Sequence, residues 1–563
     1  MVSSERVLAS LCDPLTVTQE RYVILTRKSG EPGYSERQLF TAQADSIRPV
    51  SGPIPSVLYK DLDGKVCVKK IVGDVLEDAL PPHKTITNWC EVEFDSQGVL
   101  LFAKHVTNHG RETQYWTLKG DTWRLLHEGK IWERSLDKVY SAGTNRVYKS
   151  SYSDAGLTLE FLNLDTSVFE PTNVTNIPVS VVLEKNFIES QKDPRVIVAL
   201  KNYRDGVVGW TFLDDEISAQ YDTFIKKLRA KWTAEGRHFT DAPFGVLDLK
   251  LEDDQVYEAW LQFHQNPEIR GTATLHGEEV SVEWRKPMDR ALPLHPPLQT
   301  QHVKVDGHDV PYYYVPPAVA GNGKTLILMQ GGPHDHYKGN FAPMIHHYTQ
   351  NGWGVIVPQE SLRTGYGWQH FAKGIGEIGR GNLHQLLHVF YDAQAKGLIP
   401  DINQVSLYGH SYGGFVATSF ALRWSELHKG AGLKEQFHFQ SIVADAAWVN
   451  ATSEPSISSL DLPDDELDSA EDYMHRIMPI HRVKDPLSAP LFVVHSKTDV
   501  RCSAAHTQEF MAGLKAAGKY VPLFWHKGGH NPPEHTRYPE FVAALMERNP
   551  TDALAAEIGL SSE

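Results

Sequence analysis

The sequence predicts two domains, an all-β, propeller-like N-terminal half over residues 1–295 and a doubly wound α/β C-terminal half over residues 296–563. Three observations predict this. Short apolar runs separated by glycine-bearing turns recur from about residue 20 to about residue 290. A proline-rich connector, Pro287–Pro297, follows. Beyond it, runs of Val, Ile and Leu alternate with helical stretches, the pattern of a parallel sheet covered on both faces.

Taken in order, the β half shows its repeating unit best at Cys90–Phe94, Val99–His105, Thr113–Leu118 and Thr122–His127. Ser96-Gln97-Gly98, Asn108-His109-Gly110 and Lys119-Gly120-Asp121 lie between these strands and carry the glycine that tight hairpins favour. The pattern recurs at Lys138–Leu164, Val196–Phe212 and Phe244–Trp284. Four-strand units of roughly 40–50 residues read as propeller blades, five or six of them or reduced ones, with an irregular β-sandwich as the alternative. Ser218–Trp232 breaks the pattern: Tyr221, Phe224, Ile225, Leu228 and Trp232 fall at helical spacing. This is an amphipathic helix packed on the β domain, or part of a lid. In the second half the expected strands are Leu326–Gln330, Val355–Pro358, Val405–Tyr408, Ser441–Asp445, Leu491–His495 and Val521–His526.

Composition narrows the function classes. Hydrophobic residues at 41% and charged residues at 22% suit a globular protein with large cores. No apolar run approaches the ~20 residues of a membrane span, and Met1–Leu15 lacks the layout of a signal peptide. The four cysteines stand apart without CxxC spacing, so the sequence encodes neither a disulfide framework nor a zinc knuckle, and a cytoplasmic location is expected. A net charge of −15 disfavours a nucleic-acid partner, because phosphate binding needs a basic surface.

Chemistry concentrates at Gly409-His410-Ser411-Tyr412-Gly413-Gly414, between the strand Val405–Tyr408 and the helical run Phe415–Trp424. GxSxG at a strand-to-helix junction is the nucleophile elbow of the α/β-hydrolase fold, which lifts the serine hydroxyl above the sheet's carboxyl edge. The helix that follows aims its N-terminus at the site and favours developing negative charge. Serine needs a base to take its proton, and in this fold the partners follow as serine, acid, histidine. Asp499 lies just beyond the strand Leu491–His495, and His530 comes after Val521–His526 in Lys527-Gly528-Gly529-His530. His526, which closes a strand, and His535, beyond Pro532-Pro533, are rival bases; Asp485, before Pro486, is a rival acid. For the oxyanion, the expected donors are the backbone N–H groups of Tyr412 and of Gly332, in the loop Gln330-Gly331-Gly332-Pro333-His334.

These residues resemble the prolyl oligopeptidase family of serine peptidases, its acylaminoacyl-peptidase and dipeptidyl-peptidase branches above all. Val303-Lys304-Val305-Asp306-Gly307 followed by Pro311–Pro316 matches the start of the family's catalytic domain, Gly331-Gly332-Pro333-His334 its GGPH loop, and Gly365-Tyr366-Gly367 its GYG turn. Gly409–Gly414 matches G-x-S-Y-G-G and His495–Asp499 matches HGxxD. The resemblance, which covers about residues 300–545, places the family's triad on Ser411, Asp499 and His530. It places Gln330 where relatives carry His or Tyr beside the substrate, and Trp448 where they form the acyl-side specificity pocket, an aromatic that holds a flat or apolar group there or packs in the core. The family's RGSxGYG reads Ser361-Leu362-Arg363-Thr364-Gly365-Tyr366-Gly367, so its arginine is absent from the usual place, and Val500 replaces the second Asp of HGxxDD.

Other clusters read as bland. His384 and His388, four apart on a helix, lack the carboxylate of HExxH. His334, His336, His346 and His347 gather near the GGPH loop, where they line the pocket or merely decorate it. Glu278-Glu279 fits a hairpin tip better than a pair that binds a free amino terminus. The expected function is a serine hydrolase working through an acyl-enzyme, with no metal or organic cofactor required. Its expected substrate is a short or blocked peptide admitted past a β domain that excludes folded proteins. An esterase, amidase or acyltransferase acting on a small molecule is the alternative, and a non-catalytic propeller scaffold the third reading. Oligomeric state is open.

Overall fold

The apolar alternation of the N-terminal half forms small meandering sheets in which strands consecutive in sequence are hydrogen-bonded neighbours. β1 (Ser4–Cys12), β2 (Gln19–Lys28) and β3 (Ser35–Gln43) form the first, and β4 (Arg48–Val50), β5 (Ser56–Lys60), β6 (Val66–Val72) and β7 (Val75–Asp78) the second. β8 (Glu91–Phe94), β9 (Leu100–Thr107), β10 (Glu112–Lys119) and β11 (Thr122–Lys130) form the third. The fourth holds β12 (Leu136–Ser141), β13 (Val147–Ser153), β14 (Gly156–Asn163) and β15 (Val168–Pro171). β16 (Phe187–Glu189), β17 (Ile197–Arg204) and β18 (Val207–Phe212) form the fifth, and β19 (Phe244–Glu252), β20 (Gln255–Phe263), β21 (Asn266–His276) and β22 (Glu279–Trp284) the sixth. This computed structural model describes these elements, those below and most connections. Outside the described residues lie 13–18, 29–34, 44–47, 51–55, 61–65, 95–99, 108–111, 131–135, 142–145, 179–186, 235–243, 285–294, 338–341, 435–437, 451–469, 532–536, 549–551 and shorter pieces.

The described chain divides into two compact units, Met1–Ser153 with Leu157–Thr175, and Asp154–Gly156 with Asn176–Glu563. In the first, β9 is buried on both faces, Leu100 to Ala103, and Trp89 stacks on Trp123 with ring centroids 4.7 Å apart. The turn Lys119-Gly120-Asp121 forms with Gly120 at φ +60°, whereas the turns at 96–98 and 108–110 fall outside the described residues.

In the second unit, the helical spacing of Ser218–Trp232 becomes α1 (Asp215–Ala234), whose Ile217, Phe224, Leu228 and Trp232 are buried. They pack against Val246, Leu261 and Ala273 of the sixth sheet, so this stripe faces a core and the helix is no lid over it. At the tip between β21 and β22, His276 pairs with Glu279 around Gly277 at φ +60°, as a hairpin requires; Glu278 lies outside the described residues.

The C-terminal part is one nine-stranded mixed sheet. Its strands are β23 (Gln299–Val305), β24 (His308–Val315), β25 (Thr325–Met329), β26 (Gly354–Pro358), β27 (Val405–His410), β28 (Ser441–Asp445), β29 (Leu491–Ser496), β30 (Leu523–His526) and β31 (Ser561–Ser562), in the order β23-β24-β26-β25-β27-β28-β29-β30-β31. β26, β25, β27, β28, β29 and β30 run parallel, while β23, β24 and β31 pair antiparallel at the margins. Every residue of β25, β26, β27, β28, β29 and β30 is buried, as a sheet covered on both faces dictates. Between strands lie α2 (Ala342–Gln350), α3 (Trp368–Ala372), α4 (Gly381–Ala395), α5 (Tyr412–Ala431), α6 (Ala470–Ile477) and α7 (Ala504–Ala516); α8 (Tyr538–Met546) and α9 (Asp552–Glu557) follow β30. This is the doubly wound α/β-hydrolase sheet expected from the alternation of apolar runs and helices. Among the described residues, no helix is long and apolar enough to cross a membrane.

Candidate active site

Ser411 stands at the β27–α5 junction with φ 59° and ψ −117°, a left-handed backbone that L-residues adopt only when their surroundings impose it. The glycines around it are obligatory. A Cβ on Gly409 would lie 1.9 Å from the Gly413 carbonyl oxygen, and one on Gly413 would lie 2.2 Å from that of Met329. The turn is pinned from the neighbouring strand, because the Ser411 N–H donates to the Asp445 carbonyl at 2.8 Å. The Asp445 carboxylate in turn accepts from the hydroxyls of Tyr408 and Tyr538, both at 2.7 Å.

The structure brings Ser411, Asp499 and His530 together. Nε2 of His530 lies 2.9 Å from Ser411 Oγ, and its Nδ1 lies 3.0 and 2.9 Å from the two Asp499 oxygens. Asp499 follows β29 and its side chain is fully buried. Burial opposes its charge, but hydrogen bonds from His530 and from the N–H groups of Cys502 and Arg501 outweigh that cost and hold its carboxyl below the usual range. The His530 loop is tied at both sides: its carbonyl lies 2.9 Å from His410 Nε2, and the Gly529 N–H donates to Thr498 Oγ1 at 3.2 Å. The rivals are engaged elsewhere. His526 accepts the Gly528 N–H on its Nδ1 at 3.0 Å, Asp485 pairs with Arg482 at 2.7 Å, and His535 lies outside the described residues.

Of the two expected oxyanion donors, Tyr412 opens α5, so its N–H belongs to the first turn of that helix, where backbone donors lack intrahelical partners. Gly332 adopts φ +59°. Its neighbour Gly331, not singled out from the sequence, is the glycine against the serine: a Cβ there would sit 3.1 Å from Ser411 Cβ. Gln330 is buried and its Nε2 donates to the Asp335 carbonyl at 2.7 Å, while its Oε1 is buried without a partner among the described residues. Trp448 is buried as well; its backbone N–H reaches the Ser411 carbonyl at 3.4 Å and its ring meets Phe415 edge-on at 5.8 Å.

The residue that sequence reasoning missed is Arg363. Its side chain is fully buried and pairs with Glu360 through Nε at 3.1 Å and Nη2 at 2.8 Å. The same guanidinium donates to three carbonyls of the GGPH loop, Gln330 at 3.3 Å, Gly331 at 3.1 Å and Gly332 at 2.9 Å, and to that of Asp335 just beyond it at 2.8 Å. In a trans peptide the N–H points opposite to the preceding C=O. Gripping the Gln330 and Gly331 oxygens therefore turns the N–H groups of Gly331 and Gly332 away from Arg363. The signal was present: an arginine stood two residues from the place the family motif assigns to it, after a Leu362 now found at φ +79°.

The histidine clusters resolve into structure. His336 is buried, 2.9 Å from Thr364 Oγ1, with its ring against Tyr203 of β17 at 3.7 Å between centroids. His384 lies 3.2 Å from Asp306 of the β23–β24 hairpin and 4.7 Å, ring to ring, from His388. Among the described residues those two do not form a group of three or more metal-ligating side chains; Asp499, Cys502 and His530 do.

Comparison with known proteins gives the same direction. A profile described as the prolyl oligopeptidase family matches residues 340–545. The chain is 27% identical over 241 residues to dipeptidyl peptidase family member 6 of Caenorhabditis elegans, covering 41% of this chain and 31% of that protein; the match thus spans about a third of the relative's length. Porphyromonas gingivalis dipeptidyl peptidase 4 superposes with a TM-score of 0.61 at 11% identity, over 94% of this chain and 73% of that one. A structure from a study of two prolyl endopeptidases gives a TM-score of 0.60 at 14% identity, over 99% and 81%. At such identities the two superpositions speak for the fold.

Proposed function

Since a profile of the prolyl oligopeptidase family matches residues 340–545, we propose that this chain is a serine hydrolase that cleaves an acyl bond through an acyl-enzyme on Ser411. The observation that carries the reading is the single imidazole 2.9 Å from Ser411 Oγ on one side and 2.9 Å from Asp499 on the other. His530 takes the serine proton as Oγ attacks the carbonyl carbon, and later gives it to the leaving group. Asp499, ionised because its pKa is held low, keeps the proton on Nδ1 and stabilises the imidazolium. The N–H groups of Tyr412 and of Gly332, with Gly331 as its neighbouring donor, receive the oxyanion. Water enters by the same base and frees the enzyme.

The preferred substrate class is a short or blocked peptide, with Gln330 and Trp448 at the substrate. The family domain and the peptidase relatives support this choice. The six small sheets of three or four strands support reading the N-terminal half as propeller-like blades. The domain boundary is placed at residues 295 and 296, just before β23 opens the large sheet. The charge of −15 and the scattered cysteines support a cytoplasmic protein with no nucleic-acid partner.

The test uses the purified full chain with a fluorophosphonate probe. Labelling of the wild type that disappears in Ser411→Ala is expected; an unlabelled, folded wild type removes the reading. A panel of aminoacyl and blocked-peptide anilides beside short-chain esters then decides substrate class. Anilide turnover is expected, and ester cleavage alone replaces peptide with ester.

A further inference from the structure

One group beside the His530–Asp499 pair takes no part in acyl transfer. Between Asp499 and α7, the backbone N–H of Cys502 donates to Asp499 Oδ1 at 3.0 Å. His495 Nε2 lies 3.0 Å from the Cys502 carbonyl and fixes the turn from below. The thiol belongs to no disulfide and is 5% exposed. Its Sγ, an Asp499 oxygen and a His530 ring nitrogen all lie within 4.8 Å of one another.

Thiolate, imidazole and carboxylate are zinc donors, with bonds of about 2.3, 2.0 and 2.1 Å, and three protein ligands leave a fourth position open. Around a tetrahedral ion such donors stand roughly 3.3–3.6 Å apart, so side-chain shifts of about 1 Å close the set. We propose that Asp499, Cys502 and His530 form an inhibitory zinc site, in which a bound Zn²⁺ disables the base that activates Ser411. The proposal rests on the triad reading above and adds a mode of regulation to that site.

The proton accounting shows why occupancy inhibits. At rest, His530 carries its proton on Nδ1, toward Asp499, and its Nε2 lone pair faces Ser411. Zinc takes the Nδ1 lone pair, so the ring proton passes through solvent to Nε2. An imidazole protonated there donates toward Ser411 Oγ and has no lone pair left to accept the serine proton. The Cys502 thiol releases its proton to solvent as the Zn–S bond forms. Nothing is oxidised or reduced. One Zn²⁺ against one thiolate and one carboxylate makes a neutral cluster, which a site with little water tolerates where a lone charge would be costly.

The experiment titrates ZnCl₂ into chelator-treated full-length protein. It follows both fluorophosphonate labelling and anilide hydrolysis, each variant being referred to its own zinc-free rate. Equilibrium dialysis counts bound metal, and Co²⁺ substitution reports a thiolate-to-metal charge-transfer band. The wild type should bind one zinc, show the band, lose at least tenfold in labelling rate, and recover on adding EDTA. In Cys502→Ala the band should vanish and half-inhibition should need at least tenfold more zinc, on the order of what weakening a metal site costs. Cys502→Ser, nearly isosteric, gives the same comparison if the alanine variant fails to fold. Equal inhibition in wild type and thiol-less variants, or a wild type that binds no zinc, overturns the proposal. Failure of the triad reading looks different: zinc-free wild type remains unlabelled, while dialysis and the cobalt band still report whether the three side chains hold a metal.

Discussion

Arg363 carries its charge where water does not reach, 0% exposed beside a Glu360 that is 1% exposed. Removing one member of such a pair costs about 3–5 kcal/mol because the other charge is left uncompensated, so truncation tests folding more than function. Lysine is the sharper substitution. It keeps the charge for Glu360, but a compact ammonium cannot span four carbonyls as a planar fork does. If Arg363 positions the loop that offers its N–H groups to the oxyanion, Arg363→Lys should lower kcat by about 10²–10³, the usual cost of one lost oxyanion donor. KM should stay within about threefold and the shape of the pH–rate profile should not move. A folded Arg363→Lys with wild-type kcat makes the residue merely structural. Ser411, Asp499 and His530 were legible in the sequence because chain order and flanking glycines constrain them locally. Arg363 was not, because a motif fixes positions along the chain, whereas a long side chain needs only its guanidinium to arrive. Gly331 and Gly332 were indistinguishable as letters; only the backbone tells which one lies against the serine.

The elbow is an element whose sequence and geometry are nearly the same statement. β27 ends, one residue takes a left-handed turn, and α5 starts, with its first turn packed so closely on β25 that Gly413 has no room for a methyl group. Gly413→Ala must displace the Met329 backbone rather than a flexible side chain. It should therefore abolish fluorophosphonate labelling and sharply lower the melting temperature. Near the other end of the same helix, nothing lies within 4 Å of a Cβ built on Gly430. Gly430→Ala should leave labelling intact and stabilise by up to about 1 kcal/mol, the helix-propensity gain of alanine over glycine. Similar melting temperatures for the two variants would contradict the packing argument. The six parallel strands of the large sheet were readable because burial on both faces demands unbroken apolar runs, whereas the marginal β23, β24 and β31 were not read as strands. The small sheets were readable only as a pattern: the first and fifth hold three described strands where four were expected. A short edge strand carries too few residues to show a period. α1 was visible as a stripe, but only its contacts with the sixth sheet decide between core and lid.

At the scale of the whole molecule, the site sits among histidines whose charged form burial disfavours. His370, His410, His495 and His526 are each less than 9% exposed, and burial lowers the pKa of all four. His370 is the extreme case: burial, with the neighbouring His308, pushes it down to about 3 from an ordinary 6.5. Its Nε2 lies 3.0 Å from the Glu360 carbonyl and its Nδ1 3.2 Å from His308 Nε2, so it braces the residue that pairs with Arg363. The sign follows from linkage. Between pH 6.5 and about 3 the unfolded chain binds a proton at His370 that the folded chain refuses, so stability rises with pH across that window and is lost on acidification. At pH 5 the loss from this one residue is about 2 kcal/mol relative to pH 8. Potentiometric measurement of protons taken up on guanidinium unfolding tests this without assuming that the two compact units unfold together. His370→Gln, which keeps a donor for the Glu360 carbonyl, should take up about one proton fewer than wild type at pH 5 and the same number at pH 8. Equal uptake at pH 5 would mean that His370 is already charged in the folded state. The brace behind the GGPH loop would then carry a second buried cation beside Arg363.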